Sequence, residues 1–321
     1  MSLPRILITR RIESGALEAF QAYAQVEVRE DVPQDELPGV LSAYDAAVTM
    51  LSDRLDAAAF ARLTGSRLKI IANHAVGYEN IDLAAAKAAG IWISNTPDVL
   101  TLTTAELAWA LLLTLARRLV EADALVRSGG WTGWAPTQLL GQSLVGQTLG
   151  IVGAGRIGQA MAHMGQGFGV RLLYHSRSSK PDFEAATGAQ WRPLEALFAE
   201  AGLISLHLPG GPTTRHLVDA ALLARVRPGT LLVNTGRGPT LDEAALVSAL
   251  KTGPLAGAAL DVYEFEPTVS TELRQLPNVL LAPHIGSATV ATRRAMALKC
   301  LENIQAALSN QKPPNQLTVN S

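Results

Sequence analysis

The chain has 321 residues, 48% hydrophobic and 17% charged, with 27 basic against 28 acidic side chains and a formal net charge of -1. That length exceeds what one small core organises and implies about two domains with a cleft between them. The balance excludes a disordered chain and a basic nucleic-acid coat, and a lone cysteine, Cys300, excludes a disulfide framework or a thiolate cluster for zinc or iron-sulfur. No metal is expected.

Residues 1–9 run directly into a strand-like apolar segment without the pattern of a signal peptide, so a reducing cytoplasm is the expected location. Short β-rich runs then alternate with helix-like segments: Ile6–Ile8 and Glu13–Tyr23, Val26–Arg29, Ala46–Met50 and Asp56–Leu63, Leu68–Ala72 and Asn80–Ala89, and Ile91–Ile93. This alternation predicts right-handed βαβ crossovers and a parallel sheet. After Asn95-Thr96-Pro97, the run Thr103-Thr104-Ala105-Glu106 reads as a capping box in which Thr103 and Glu106 open a long helix. The apolar stretch Leu107–Val120 is interrupted by Thr114, Arg117 and Arg118 and is shorter than the ~20 residues of a membrane span, so it reads as a buried helix. Residues 128–136, which set Trp131 and Trp134 among Gly and Pro, read as a loop. A second alternation extends from Leu149 to Leu281, and a helix spanning Thr289 to Leu308 with a polar tail closes the chain.

Within that second alternation, Gly153-Ala154-Gly155-Arg156-Ile157-Gly158 sits between a buried-strand pattern ending at Val152 and a helix pattern ending near Phe168, with Gly169 as the stop. Gly153 allows the tight turn, Gly155 lets backbone approach a pyrophosphate, and Gly158 permits close helix packing, which is the physical content of a dinucleotide-binding turn. About twenty residues on, where an acid would bond the ribose 2′-hydroxyl of NAD, stands Tyr174-His175-Ser176-Arg177-Ser178-Ser179-Lys180. No carboxylate repels a 2′-phosphate there. Ser176, Arg177, Ser178 and Lys180 offer charge and hydrogen bonds to one, so NADP(H) is expected to be preferred, with NAD(H) possible.

Three reactive side chains follow successive apolar runs: Arg237 after Leu231–Asn234, Glu266 after Ala258–Leu260 and Asp261, and His284 after Val279–Pro283. In an open α/β sheet, residues just past strand ends converge on the ligand crevice. A guanidinium to clamp a carboxylate, an imidazole to protonate an oxygen, and a carboxyl to orient that imidazole suit hydride reduction of a 2-oxo acid. Taken singly, each has an ordinary alternative: a satisfied buried histidine, a surface ion pair, a helix cap at Asp261. Their joint placement behind a nucleotide turn favours the site. Trp92 and His216 read as packing and surface residues respectively.

At these residues the chain resembles the D-isomer-specific 2-hydroxyacid dehydrogenase family, and within it the glyoxylate/hydroxypyruvate reductases. The likeness rests on residues 73–82, Asn95-Thr96-Pro97, Thr104–Ala108, the glycine turn, His207-Leu208-Pro209, residues 234–238, Leu260-Asp261-Val262, Glu266-Pro267 and residues 283–286. It implies two Rossmann-like or flavodoxin-like parallel-sheet domains. One is a discontinuous substrate-binding domain of residues 1–98 plus 291–321, and the other a dinucleotide-binding domain inserted at 99–290. Catalysis is implied for Arg237, Glu266 and His284, and substrate contact for Leu51, Ser52 and the backbone amides of Val76 and Gly77. Cofactor contacts are implied for Thr104, Arg156, Ile157, His207, Leu208, Pro209, Thr213, Thr235, Gly236, Asp261 and Gly286. Two chains are expected to pair as a homodimer, with Trp134 either lent to the partner's cleft or serving as a packing anchor. His74 precedes the amide loop and is expected only to support it. Gly236 departs from the alanine usual in the family, which would loosen the backbone beside Arg237.

The expected activity is NADPH-dependent reduction of small 2-oxo acids, glyoxylate to glycolate and hydroxypyruvate to D-glycerate, with no nucleic acid or membrane partner. Two rivals remain open: a dehydrogenase for a bulkier 2-oxo acid such as 2-ketogluconate, and a non-catalytic nicotinamide-sensing binding protein.

Overall fold

The computed structural model describes residues 3–319; the outermost two residues at each end, within the strand-like opening and the polar tail, lie outside the described residues. The contacts divide the chain into two units, one up to Leu100 and again from Ser287, the other Thr101–Gly286.

The first unit runs β1 (Arg5–Ile8), α1 (Ser14–Tyr23), β2 (Gln25–Val28), α2 (Leu37–Leu41), β3 (Ala46–Thr49), α3 (Ala57–Leu63), β4 (Ile70–Asn73), α4 (Leu83–Ala88) and β5 (Trp92–Ser94). Its five strands form a parallel sheet in the order β2-β1-β3-β4-β5. Because side chains alternate across a strand, Ile6 and Ile8 pack into one layer and Leu7 into the other. Asp56 and Asp82 stop the chain from entering α3 and α4 earlier: each carboxylate caps an amide three residues on. Helix α2 escapes sequence pattern, since its Pro38-Gly39 pair reads as a turn, yet proline is tolerated in the first helical turn.

The second unit runs α5 (Thr101–Ala116), α6 (Leu119–Arg127), β6 (Thr148–Val152), α7 (Arg156–Gln166), β7 (Arg171–His175), α8 (Pro181–Thr187), β8 (Gln190–Trp191), α9 (Leu194–Glu200), β9 (Leu203–Leu206), α10 (Ala220–Leu223), β10 (Thr230–Asn234), α11 (Glu243–Thr252), β11 (Leu255–Leu260), α12 (Thr271–Gln275) and β12 (Val279–Leu281). Seven parallel strands lie in the order β12-β11-β10-β9-β6-β7-β8, so strand order reverses between β6 and β9. The last helix, α13 (Val290–Leu308), returns to the first unit and buries Ala297, Cys300, Ile304 and Ala307 against the β1, β3 and β4 layer. Arg294 on α13 grips Glu13, the cap of α1, through two contacts of 2.8 Å. The Arg294 hydrogen bond outweighs desolvation and, with the Gly15 and Ala16 amides, pulls the Glu13 carboxyl down to about 2. Beyond α13, Leu317 donates to the Ile93 carbonyl at 2.8 Å and Gln316 pairs antiparallel with Ser94, covering the β5 edge.

Two expectations are corrected. Helix α5 begins at Thr101, entered through Asp98 at φ 74°, so Thr103 and Glu106 lie inside the helix and form no capping box. The apolar run to Val120 is not one buried helix: the chain breaks at Arg118, φ 52°, and α6 beyond it has no buried residue, whereas α5 buries seven.

Candidate active site

Glycine geometry at the β6 exit matches the dinucleotide reading. Gly153 has φ 98°, and a Cβ there would come within 2.7 Å of the His207 carbonyl. A Cβ at Gly158 would strike the Gly153 carbonyl, whereas at Gly155 it would meet nothing within 4 Å. That open flank lies at the start of α7, where Gly155 as the cap provides no side-chain hydrogen bond, the arrangement of a helix N-terminus that accepts an anion.

After β7, the Trp191 indole donates to the Ser176 carbonyl at 3.0 Å and the Lys180 amide to the Tyr174 hydroxyl at 2.6 Å, which pins the loop at both ends. The side chains of Arg177 and Lys180 form no ion pair or hydrogen bond among the described residues, so two cations stand uncompensated. Ser176 spends its hydroxyl proton on the Ser178 carbonyl, 2.6 Å away.

His207, past β9, bonds Ser205 at 2.7 Å and faces Thr235 at 3.5 Å; burial pushes its imidazole down to about 4, so it stays neutral near pH 7. Leu208 and Pro209 continue that turn, closed by Thr214 on the Pro209 carbonyl, with Thr213 exposed beside it. Gly236 does more than loosen the chain: a Cβ there would lie 2.9 Å from the Leu208 carbonyl, so the glycine lets the β9 and β10 exits close on each other.

The Arg237 turn is built by Asn234, fully buried at the end of β10. Its amide donates to the Arg237 carbonyl at 3.2 Å while its carbonyl accepts from the Gly236 amide at 3.0 Å. Past β11, Asp261 is 1% exposed and accepts from the Ile285 and Gly286 amides at 2.7 and 2.8 Å, which folds the loop carrying His284. Burial raises its pKa. Thr104 lies at that loop too, its methyl 3.3 Å from where a Cβ on Gly286 would stand. His284 itself sits at φ 55°, a strained value for a residue other than glycine.

His284 Nδ1 meets Glu266 Oε2 at 2.8 Å, and the other Glu266 oxygen accepts from the Tyr263 amide at 3.0 Å. Burial opposes charge on Glu266, but the hydrogen bond and charge of His284, the Tyr263 amide and the Arg237 guanidinium prevail and hold its carboxyl below the usual range. Bonding through Nδ1 leaves Nε2 for proton exchange with a ligand.

Leu51, Ser52, Val76 and Gly77 belong to the first unit. The Met50–Asp53 turn is fixed by Asp53, which accepts from Thr9 and the Met50 amide at 2.5 and 2.8 Å. Asn95 and Asn73 take the carbonyls of Val76 and Gly77, each at 2.8 Å. The Val76 and Gly77 amides donate to no acceptor among the described residues, the state expected of an anion-binding loop. His74 is buried beside them, its imidazole pushed down to about 4 by desolvation, with Nε2 3.4 Å from the Arg293 carbonyl. Trp134 is 83% exposed in its loop.

His216 is not a plain surface residue. Its Nε2 lies 2.6 Å from Glu264, which also takes Arg215 at 2.9 Å, because Glu264 is nearly enclosed and needs compensating charge. The sequence places His216 only at the surface, gives Asn234 no role of its own within the 234–238 motif and gives Glu264 and Tyr263 none; a polar residue ending an otherwise apolar strand is the available signal for Asn234. Among the described residues no helix is long and apolar enough to cross a membrane, and no group of three or more His, Cys, Asp or Glu could hold a metal.

Residues 109–286 match the family model for the NAD-binding domain of D-isomer specific 2-hydroxyacid dehydrogenases. The chain is 46% identical to a glyoxylate reductase of Thermococcus onnurineus, over 97% of this chain and 95% of that one. To a glyoxylate reductase of Aeropyrum pernix it is 45% identical, over 98% and 96%. An NADPH-dependent glyoxylate/hydroxypyruvate reductase from Sinorhizobium meliloti, solved with NADP and malonate, superposes at TM-score 0.87 with 35% identity, covering 98% of this chain and 97% of that one.

Replacing His284 by Ala leaves burial less opposed at Glu266, so its carboxyl should titrate at higher pH than in the parent protein. Carboxyl-carbon NMR of the two proteins measures this; an unmoved Glu266 resonance profile would show that the pair is not coupled.

Proposed function

The chain belongs to the D-isomer-specific 2-hydroxyacid dehydrogenase family, and from that premise we propose that this nicotinamide-dependent oxidoreductase reduces small 2-oxo acids with NADPH, glyoxylate and hydroxypyruvate first. The observation that carries the reading is the Glu266 to His284 contact of 2.8 Å, with the Arg237 charge acting on it, in the same unit as the glycine turn.

The bound nicotinamide supplies the hydride. Arg237 holds the substrate's carboxylate and polarises its carbonyl, as a planar guanidinium does best. His284 Nε2 gives a proton to the carbonyl oxygen as negative charge develops there, and Glu266 on Nδ1 keeps the ring oriented. Within the first unit, the unclaimed Val76 and Gly77 amides, with Leu51 and Ser52, are the groups the family resemblance assigns to substrate binding.

The uncompensated Arg177 and Lys180, and the missing acid at Ser176, support NADPH over NADH. The apolar side chains of the 119–145 segment support pairing of two chains: Val120, Val126, Trp131, Trp134, Leu140 and Val145 are each more than half exposed, a concentration of open apolar side chains in one segment that a partner surface would cover. We place Trp134 in the partner's cleft within that homodimer, in a cytoplasmic enzyme.

His284→Ala should lower kcat for glyoxylate by roughly 10²- to 10⁴-fold with NADPH affinity little changed; turnover near the parent's would refute the reading, and a substrate panel dominated by a bulkier 2-oxo acid would redirect it. Ser176→Asp should move the NADPH to NADH ratio of kcat/KM toward NADH by about tenfold or more; an unmoved ratio would remove the 2′-phosphate assignment. Light scattering should give twice the 34.0 kDa chain mass, and Val120→Asp with Val126→Asp should give the single mass; a monomeric parent protein would end the dimer proposal.

A further inference from the structure

Tyr263 stands in no assigned role, yet it touches the chain beside all three reactive residues. Its amide donates to Glu266 Oε1 at 3.0 Å. Its hydroxyl donates to the Ala282 carbonyl at 2.8 Å, two residues before His284. Its carbonyl lies so close to Gly238, the neighbour of Arg237, that a Cβ on that glycine would overlap it. The side chain is 6% exposed and fits between the ends of β11 and β12.

We propose that Tyr263 is a positioning residue that sets the spacing between the Glu266 carboxylate and the His284 imidazole. The inference rests on the reading of those two groups as the proton-handling pair. Both flanks of the His284 loop are tied to the β11 exit: Asp261 holds the amides after His284, and before it the Ala282 amide donates to the Leu260 carbonyl while the Tyr263 hydroxyl holds the Ala282 carbonyl, the peptide that leads into Pro283 and His284. A strained φ of 55° relaxes unless both sides are held, so loss of either tether lets the ring drift. Glu266 would not drift with it. Its turn is anchored independently at Glu264, whose amide donates to Glu243 at 2.6 Å and whose carboxylate takes Arg215 and His216.

Burial, then the charges of Asp261 and Glu266, push the Tyr263 phenol up to about 12, so the hydroxyl remains a donor throughout the working range. The carboxylates acting on it are Asp261, Glu266 and Glu243. The tether therefore stays in place across that range.

The test removes only the hydroxyl. Tyr263→Phe keeps the ring and the amide, and should lower kcat roughly tenfold, as displacement of a proton donor does, with the 2-oxo acid KM and NADPH affinity within about twofold. The loss should fall on kcat and not on KM, a split that a merely structural defect would not give. A simple loss of folded protein would instead lower the number of NADPH-binding sites and leave the turnover of each unchanged. Tyr44→Phe, which deletes a buried hydroxyl bonded to Glu27 in the other unit, should leave kcat unchanged. In a His284→Ala background, Tyr263→Phe should add no further loss. A Tyr263→Phe enzyme with the parent's kcat, or losses that multiply in the double variant, would overturn the positioning role. Undiminished turnover in His284→Ala alone would instead overturn the proposed function, so the two failures are distinguishable.

Discussion

One hydrogen bond, 2.8 Å from His284 Nδ1 to Glu266 Oε2, organises the reactive end of this chain. It joins residues that follow two neighbouring strands, β11 and β12, and it exists because a parallel sheet delivers every strand end to the same edge. The sheet alone does not suffice. His284 occupies a left-handed backbone conformation, which costs on the order of 1 kcal/mol or more, and the enclosing structure must over-determine it. Asp261 meets that demand with two backbone acceptances and almost no exposure. Burying its carboxylate is unfavourable by itself, as its raised pKa shows, and the two amides offset the cost where a water-exposed carboxylate would have left the loop free.

The same logic explains why close backbone approaches recur along the edge. Gly153 beside His207, Gly236 beside Leu208 and Gly238 beside Tyr263 each stand where a side-chain carbon would collide with a neighbouring strand exit. Successive exits of β6, β9, β10 and β11 are thereby drawn together.

Much of this was legible in the sequence because the signals are local. Apolar runs of strand length ending in glycine or a reactive residue marked β6, β10, β11 and β12, and the spacing of Gly153, Gly155 and Gly158 specified the turn. What was not legible depends on contacts between distant segments. The apolar run through Val120 reads as one helix, yet Arg118 adopts φ 52° and the chain beyond it leaves the core. His216 reads as a surface imidazole because Glu264, its reason for being held, is 48 residues away. Tyr263 looks like core filling, and only the position of its hydroxyl against Ala282 distinguishes it from a phenylalanine.

Cofactor choice rests on a different balance. A carboxylate at the end of β7 would accept a ribose hydroxyl and repel a phosphate, so its replacement by Ser176 removes a penalty without adding attraction. Attraction requires charge that is not already spent. Arg171 and Arg192 share Glu200 and are therefore compensated, whereas Arg177 and Lys180 are not. Pinning of the loop by Trp191 and Tyr174 limits the ordering that a bound phosphate would have to impose, so those two cations can act at small entropic cost. The proposed preference for NADPH thus depends on which basic side chains lack partners rather than on how many the loop contains.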